Sequence, residues 1–271
     1  MSGPESERRE LHGMKEMADV SSMLIQGLFR SYRTKQLEHS GVIAYSNKAD
    51  GSVVTELDEE IERVVQAEIL AKFPDTPVYG EETGYGDSGA TTFWLIDPID
   101  GTKSFIDGTP TFTNMAAMIH NGETVASIIY NPTEDAMYTA FRGEGAFKNG
   151  EMLRLGSTVP QPVILCKEAL FADAQRIFEG EELTFQNPPS GGGNGLALVA
   201  EGKVAARFQI RANGVAHDYA PGALLVIEAG GALVPILDDA YSYECNSFIA
   251  CHPSLATGVS QRKAQLQSLE R

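Results

Sequence analysis

Asp97 and Asp100 stand three residues apart in the run 94–105, WLIDPIDGTKSF, with Pro98 between them and Gly101 after the second. Pro98 biases Asp97 toward an extended conformation, and Gly101 lets the chain turn sharply without a steric penalty. Two carboxylates, a turn carbonyl and exposed backbone N–H groups are thereby concentrated within a few residues. Hard divalent cations take oxygen ligands of that kind, and a phosphate takes N–H donors of that kind. The same Asp-Pro-x-Asp-Gly pattern is also an ordinary turn sequence, because Pro, Asp and Gly each favour turns for separate reasons.

Three further acidic positions invite the same two readings. Thr55 and Asp58 fit a capping box, in which Asp58 caps the start of a helix carrying Leu57, Ile61, Val64, Val65 and Ile69. A helix end of that kind can also present the carboxylate to a site. Glu81 and Glu82 are an adjacent pair, usually an exposed one. Gly80 and the apolar approach Pro77-Val78-Tyr79 instead point to a strand-end loop, where sites tend to sit. Asp218 opens a helix-like stretch that ends at Gly230-Gly231, with Pro221 tolerated in its first turn. Asp218 lies 118 residues beyond Asp100 (218 − 100), so only a folded chain could bring them together.

The elements that would position these residues alternate between helix and strand. Residues 1–10 are charged and read as a disordered tail. An amphipathic helix is expected over about 11–32 and another over 56–73. Strand-like segments follow at 92–96, 112–119, 124–130, 136–141 and 163–166. A short helix near 172–178, a glycine-rich stretch, a helix over 195–201, a strand near 204–210 and a helix over 218–229 come next. Two strands and a C-terminal helix complete the chain. A length of 271 residues and 42% hydrophobic content allow one large domain or two packed halves. The net charge of −16 argues against nucleic acid or an anionic membrane as partner. The five histidines show no zinc-like spacing. Three cysteines without a CxxC pair suit a reduced compartment, and the N-terminus has no apolar signal region. A soluble, cytoplasmic protein is expected.

In order and spacing, the blocks around Asp58, Glu81, Asp97–Phe105 and Asp218 resemble the inositol monophosphatase family, the lithium-sensitive, magnesium-dependent phosphomonoesterases. The first family signature is matched by WLIDPIDGTKSF in nearly every position, and the second partly, by HDYAPGALLVIEAGG. Residues 137–140 and 142–150 also look like the family, and the resemblance covers roughly 12–255. It implies an α/β (α+β) layered sandwich of the inositol monophosphatase / fructose-1,6-bisphosphatase type. Residues 11–155 would form an N-terminal α+β half and 156–271 an α/β half completing the site, in a homodimer. Glu81, Asp97, Asp100 and Asp218, with the Ile99 carbonyl, would hold two or three magnesium ions, and Glu82 would support Glu81. Asp58, Glu81 and Thr102 would be catalytic, orienting a metal-activated water for direct attack on phosphorus. Gly101 and Thr102 would bind phosphate at the start of a short helix. Lithium would compete for one magnesium position.

The resemblance implies a small phosphorylated metabolite as substrate, with inositol 1-phosphate or a related polyol or sugar phosphate first. Inositol-selective relatives carry a glutamate seven residues before the last aspartate, where this chain has Arg211, and a tryptophan immediately before it, where this chain has His217. Arg211 could hold a second anionic group or be a surface charge. His217 could touch substrate or merely neighbour Asp218. The stretch DGTKSFIDGTPTF resembles histidinol-phosphate phosphatases of this fold, and many phosphoadenosine phosphatases also carry DGTK. Those substrates are therefore the alternatives, with Lys103 near the phosphate or simply exposed. Gly191, Gly192 and Gly193 fall where relatives contact substrate. Their lack of side chains could widen the pocket, admit close backbone approach or make a flexible loop. A magnesium- and anion-binding regulator with little turnover is the reading of another class.

Overall fold

The computed structural model describes residues 4–48, 51–84, 89–159, 161–210 and 214–270. In chain order the elements are α1 (Pro4–His39), β1 (Tyr45–Asn47), β2 (Val53–Thr55), α2 (Glu56–Lys72), β3 (Val78–Gly80), β4 (Thr92–Asp100), α3 (Thr102–Ile106), β5 (Thr113–His120), β6 (Glu123–Asn131), β7 (Ala136–Phe141), β8 (Gly145–Lys148) and β9 (Glu151–Leu153). There follow β10 (Val163–Leu165), α4 (Phe171–Ile177), β11 (Thr184–Gln186), α5 (Gly193–Ala200), β12 (Ala206–Gln209), α6 (Ala216–Glu228), β13 (Ala232–Pro235), β14 (Phe248–Cys251), α7 (Pro253–Gln261) and α8 (Lys263–Gln267).

Strands β3 to β9 form a seven-stranded sheet in sequential order, antiparallel except where β3 runs parallel to β4. A five-stranded mixed sheet has the order β11-β10-β12-β14-β13. Helices α5 and α6 contact strands of both sheets and so lie between them. Helices α1 and α2 cover the other face of the larger sheet, and α4, α7 and α8 the outer face of the smaller one. The result is the layered α/β sandwich expected. Among the described residues, no helix is long and apolar enough to cross a membrane.

Because the larger sheet is covered on both faces, its central strands are near-continuous apolar runs rather than alternating ones. In β5, Met115 packs toward α5 and α6, whereas Ala116 and Met118 pack toward α1 and α2. The α2 stripe Leu57, Ile61, Val65 and Ile69 is wholly buried against Trp94, Ile96 and Phe105. The helix ends where the Phe73 N–H bonds back to the Ile69 carbonyl, with Pro74 next.

Several expected boundaries differ from the structure, and helix α1 runs on to His39 rather than ending near 32. The tail over residues 1–10 is helical from Pro4, because proline suits the first helical position and Glu5 and Glu7 follow within the first turn. Residues 1–3 lie outside the described set. The strand expected over 92–96 continues to Asp100, so the tight turn comes only after the second aspartate. Pro98 is tolerated because the register with β5 shifts between Asp97 and Asp100, where no ladder N–H is required. The Pro98 carbonyl instead accepts the Asn114 side-chain amide.

Trp94, the sole tryptophan, is fully buried, and its Nε1 donates to Ser21 Oγ of α1 at 3.2 Å. Replacing it by alanine should cost about 3–5 kcal/mol, read as a lower urea midpoint by circular dichroism. A loss below about 1 kcal/mol would mean that this layer is not packed as described.

Candidate active site

Four chain segments converge at the end of β4. Asp97 and Asp100 arrive on the strand, Asp218 on the first turn of α6, Asp58 on the first turn of α2, and the glycine-rich turn 190–192 leads into α5. Oxygens of Asp97, Asp100 and Asp218 lie within 4.8 Å of one another. Asp97 and Asp100 are buried, at 2% and 3% exposure.

Each carboxylate is fixed by its own donors. Asp100 accepts the Gly192 and Gly193 N–H groups at 2.7 and 2.8 Å and the Thr113 hydroxyl at 2.9 Å. Asp218, the third residue of α6, accepts the Val215 N–H at 2.6 Å. Asp58, the third residue of α2, accepts the Thr55 N–H at 2.9 Å. The capping and site readings of these two acids are therefore one geometry: Oδ2 of each closes a helix start, and capping does not require Oδ1. Thr102 Oγ1 donates to the Ile99 carbonyl at 3.0 Å and stands 3.4 Å from Asp58 Oδ1. Asp97 differs from the others, because its Oδ1 is buried without a hydrogen-bond partner.

Burial first, and then the charges of Glu81, Asp100, Asp218 and Asp58, push the Asp97 carboxyl well above the usual range. Burial also raises Asp100 to about 6, aided by Asp218 and opposed by the Gly192, Gly193 and Thr113 hydrogen bonds. Asp218 is raised to about 6 by burial, opposed by the Val215 N–H. Asp58 is raised to about 6 by burial, opposed by its bonds to Thr55. A bound cation relieves carboxylate oxygens crowded together with so little solvent around them.

Glu81 lies outside this three-carboxylate group, though its charge acts on Asp97, Asp58 and Asp218. Its carboxylate pairs with Lys48 Nζ at 2.7 Å, and the same ammonium reaches Glu82 at 2.7 Å. Glu82 is raised to about 7 by burial, opposed by Lys48. Gly101, in the left-handed region at φ +84°, makes the turn into α3. His217 is buried, with Nε2 3.9 Å from Asp218 Oδ2, and burial lowers its pKa. Lys103 is exposed and pairs with Asp107. Arg211 lies outside the described residues.

The glycine segment makes a close backbone approach to the acidic residues. A Cβ on Gly191 would lie 2.3 Å from Asp100 Oδ1, and one on Gly192 would lie 2.0 Å from the Asp218 carbonyl. Reading the sequence missed Lys48, Glu62, Thr113 and Arg207. Glu62 is buried and accepts the Glu82 and Thr83 N–H groups at 2.9 Å each, holding the acidic loop against α2. Its signal was an acid inside the apolar stripe of α2, four residues after Asp58; for Arg207 it was a lone cation within the apolar run Val204–Ile210.

A family model described as the inositol monophosphatase family matches residues 12–267. An inositol-1-monophosphatase of Bacillus subtilis is 31% identical over 235 residues, 82% of this chain and 88% of its own. A histidinol-phosphatase of Chlorobaculum parvum is 40% identical over 111 residues, 41% of this chain and 43% of its own. The solved structure of a Thermotoga maritima IMPase superposes with a TM-score of 0.79 at 26% identity, covering 92% of this chain and 98% of that one.

Raised carboxyl values mean that the metal-free folded chain holds more protons than the unfolded chain, whose aspartates titrate near the ordinary 3.8. The contribution of these groups to stability therefore falls as pH rises from about 4 to about 7. In chelator, the thermal midpoint of the wild type should drop over that range more than that of Asp97→Asn, which lacks the least compensated charge. Equal pH slopes for the two proteins would contradict the described crowding.

Proposed function

The chain belongs to the inositol monophosphatase family and is a phosphoric monoester hydrolase, and within that family we propose that it is a magnesium-dependent phosphatase acting on inositol 1-phosphate or a related small polyol or sugar phosphate. The observation that carries the metal reading is the unpartnered Asp97 Oδ1 inside a buried group of three carboxylates. An all-oxygen donor set suits a hard cation such as magnesium rather than zinc. Asp97, Asp100 and Asp218, with Glu81 and the Ile99 carbonyl, would hold it. When bound, magnesium supplies Lewis-acid polarisation of the phosphate and lowers the pKa of water.

The protein's own groups supply positioning. Thr102 Oγ1 orients the attacking water, its hydroxyl fixed by the Ile99 carbonyl. The single hydroxyl proton would swing from the Ile99 carbonyl to Asp58 Oδ1, 3.4 Å away, and pass to that carboxylate as Thr102 takes one from the water. The Asp58 value of about 6 leaves that oxygen mostly ionised at neutral pH and basic enough to accept. The Gly101 turn delivers Thr102 at the head of α3, with its backbone N–H available to a phosphate oxygen.

The Bacillus relative, matched across most of both chains, supports a polyol phosphate. The shorter but closer match to a histidinol-phosphatase favours histidinol phosphate as the second reading. Phosphate release with magnesium should be measured on inositol 1-phosphate, glycerol 2-phosphate, histidinol phosphate, phosphoadenosine phosphate and fructose 1,6-bisphosphate. The highest kcat/KM is expected on inositol 1-phosphate or another polyol or sugar monophosphate, and Asp100→Asn should reduce release to background. Preference for histidinol phosphate would install the second reading. Preference for a doubly anionic substrate would make Arg211 the residue to test next. No turnover by a magnesium-binding wild type would sink the proposal.

A further inference from the structure

We propose that Arg207 is a positioning residue of the candidate active site: its guanidinium orients the Gly191–Gly192 peptide group so that the turn presents its N–H groups to Asp100. The inference rests on the reading above only in giving Asp100 a metal to serve.

Arg207 lies in β12 and is 5% exposed, a position that a cation rarely occupies without a carboxylate partner. Its described hydrogen bonds go elsewhere. Nη2 donates to the Gly191 carbonyl at 2.7 Å and Nε to Gln209 Oε1 at 3.2 Å, while Nη1 is buried with no partner. The charges of Asp100 and Asp218 act on this guanidinium without bonding it directly, and the buried Nη1 left without a partner costs stability, so folding alone does not account for its placement.

The Gly191 carbonyl belongs to the same peptide group as the Gly192 N–H. In a trans peptide the C=O and N–H point in opposite directions. With the carbonyl held by Arg207, the N–H is aimed at Asp100 Oδ1, 2.7 Å away. The next N–H, of Gly193, reaches Oδ2 at 2.8 Å. One peptide thus lies between a cation and an anion with its dipole along the line joining them, so each hydrogen bond is charge-assisted. Flipped over, that peptide would turn its carbonyl oxygen on the carboxylate. The flip turns ψ of Gly191 and carries φ of Gly192 from −83° into the positive region, rotations that two glycines leave open. Arg207 decides between the two orientations.

The packing is specific to this role. A Cβ on Gly195 would lie 1.8 Å from Arg207 Nη1, so the guanidinium fills the space a side chain would take in the first turn of α5.

Hydrogen exchange and magnesium titration calorimetry test the proposal together. In metal-free wild type, the Gly192 and Gly193 amides should exchange as slowly as the interior of α5. Arg207→Met should speed exchange at those amides about ten-fold or more and weaken magnesium binding about ten-fold, as expected for losing a charge-assisted hydrogen bond. KM for the phosphoester at saturating magnesium should stay within about two-fold, and Arg207→Lys should recover part of the magnesium affinity. Gly195→Ala keeps the arginine but displaces it, and should reproduce the effect. A folded Arg207→Met with wild-type exchange and wild-type magnesium affinity would overturn the proposal. If that variant does not fold, the wild type decides: a turn that exchanges rapidly in chelator and slows only with magnesium is ordered by the metal, not by Arg207, which also overturns it. A wild type with a protected turn but no phosphate release from any substrate overturns the phosphatase reading alone.

Discussion

Like charges crowded into a dry interior set the terms for this molecule. Three carboxylates bring oxygens within 4.8 Å of one another, two of them almost wholly buried. Two unit charges 4 Å apart repel by about 4 kcal/mol even at an effective dielectric of 20, so the fold must oppose the repulsion with fixed donors. It does so by ending strand β4 where two helices begin and a glycine turn closes over it. Asp100 takes three hydrogen bonds, and Asp58 and Asp218 each take a cap N–H. The orphaned oxygen of Asp97 is what this arrangement leaves over for a ligand.

The two helix starts solve the same problem in the same way. In α2 and in α6 the third residue is an aspartate whose Oδ2 accepts the N–H of the cap residue. The positive end of each helix favours the charge there. Thr102 then connects one of these ends to the β4 terminus through Asp58 Oδ1 and the Ile99 carbonyl. Behind this front, Glu62 anchors the Glu81–Glu82 loop to α2, and Lys48 from the segment after β1 spans both glutamates. Lys48 thus offsets part of the acidic charge beside the site.

What could be read from the sequence follows how local each signal is. The α2 stripe at helical spacing and the Asp-Pro-x-Asp-Gly run carry their meaning within a dozen residues, so helix and acidic turn were both visible. Strand β4 looked shorter than it is, because Pro98 usually ends a strand and only pairing with β5 shows the register shift that admits it. The helical start at Pro4 was hidden because charge and Pro/Gly content resemble a tail. Thr113 and Arg207 acquire their roles through Asp100 and Gly191, contacts that span 13 and 16 residues and depend on strand register and sheet order. Lys48 meets Glu81 across 33 residues, a contact that periodicity alone does not show.

The glycine turn also bears on how such a site can diversify. At 191, 192 and 195 the space beyond the α-carbon is already taken by an aspartate oxygen, a backbone carbonyl and a guanidinium. In this chain a side chain at any of these positions would meet an occupied neighbour before it could reach a ligand. Side chains have room to change in the surrounding segments, such as the exposed strand Tyr45–Asn47 or the exposed Val215. One edge of the site is closed to side chains by its own packing, and the other edges are open to them.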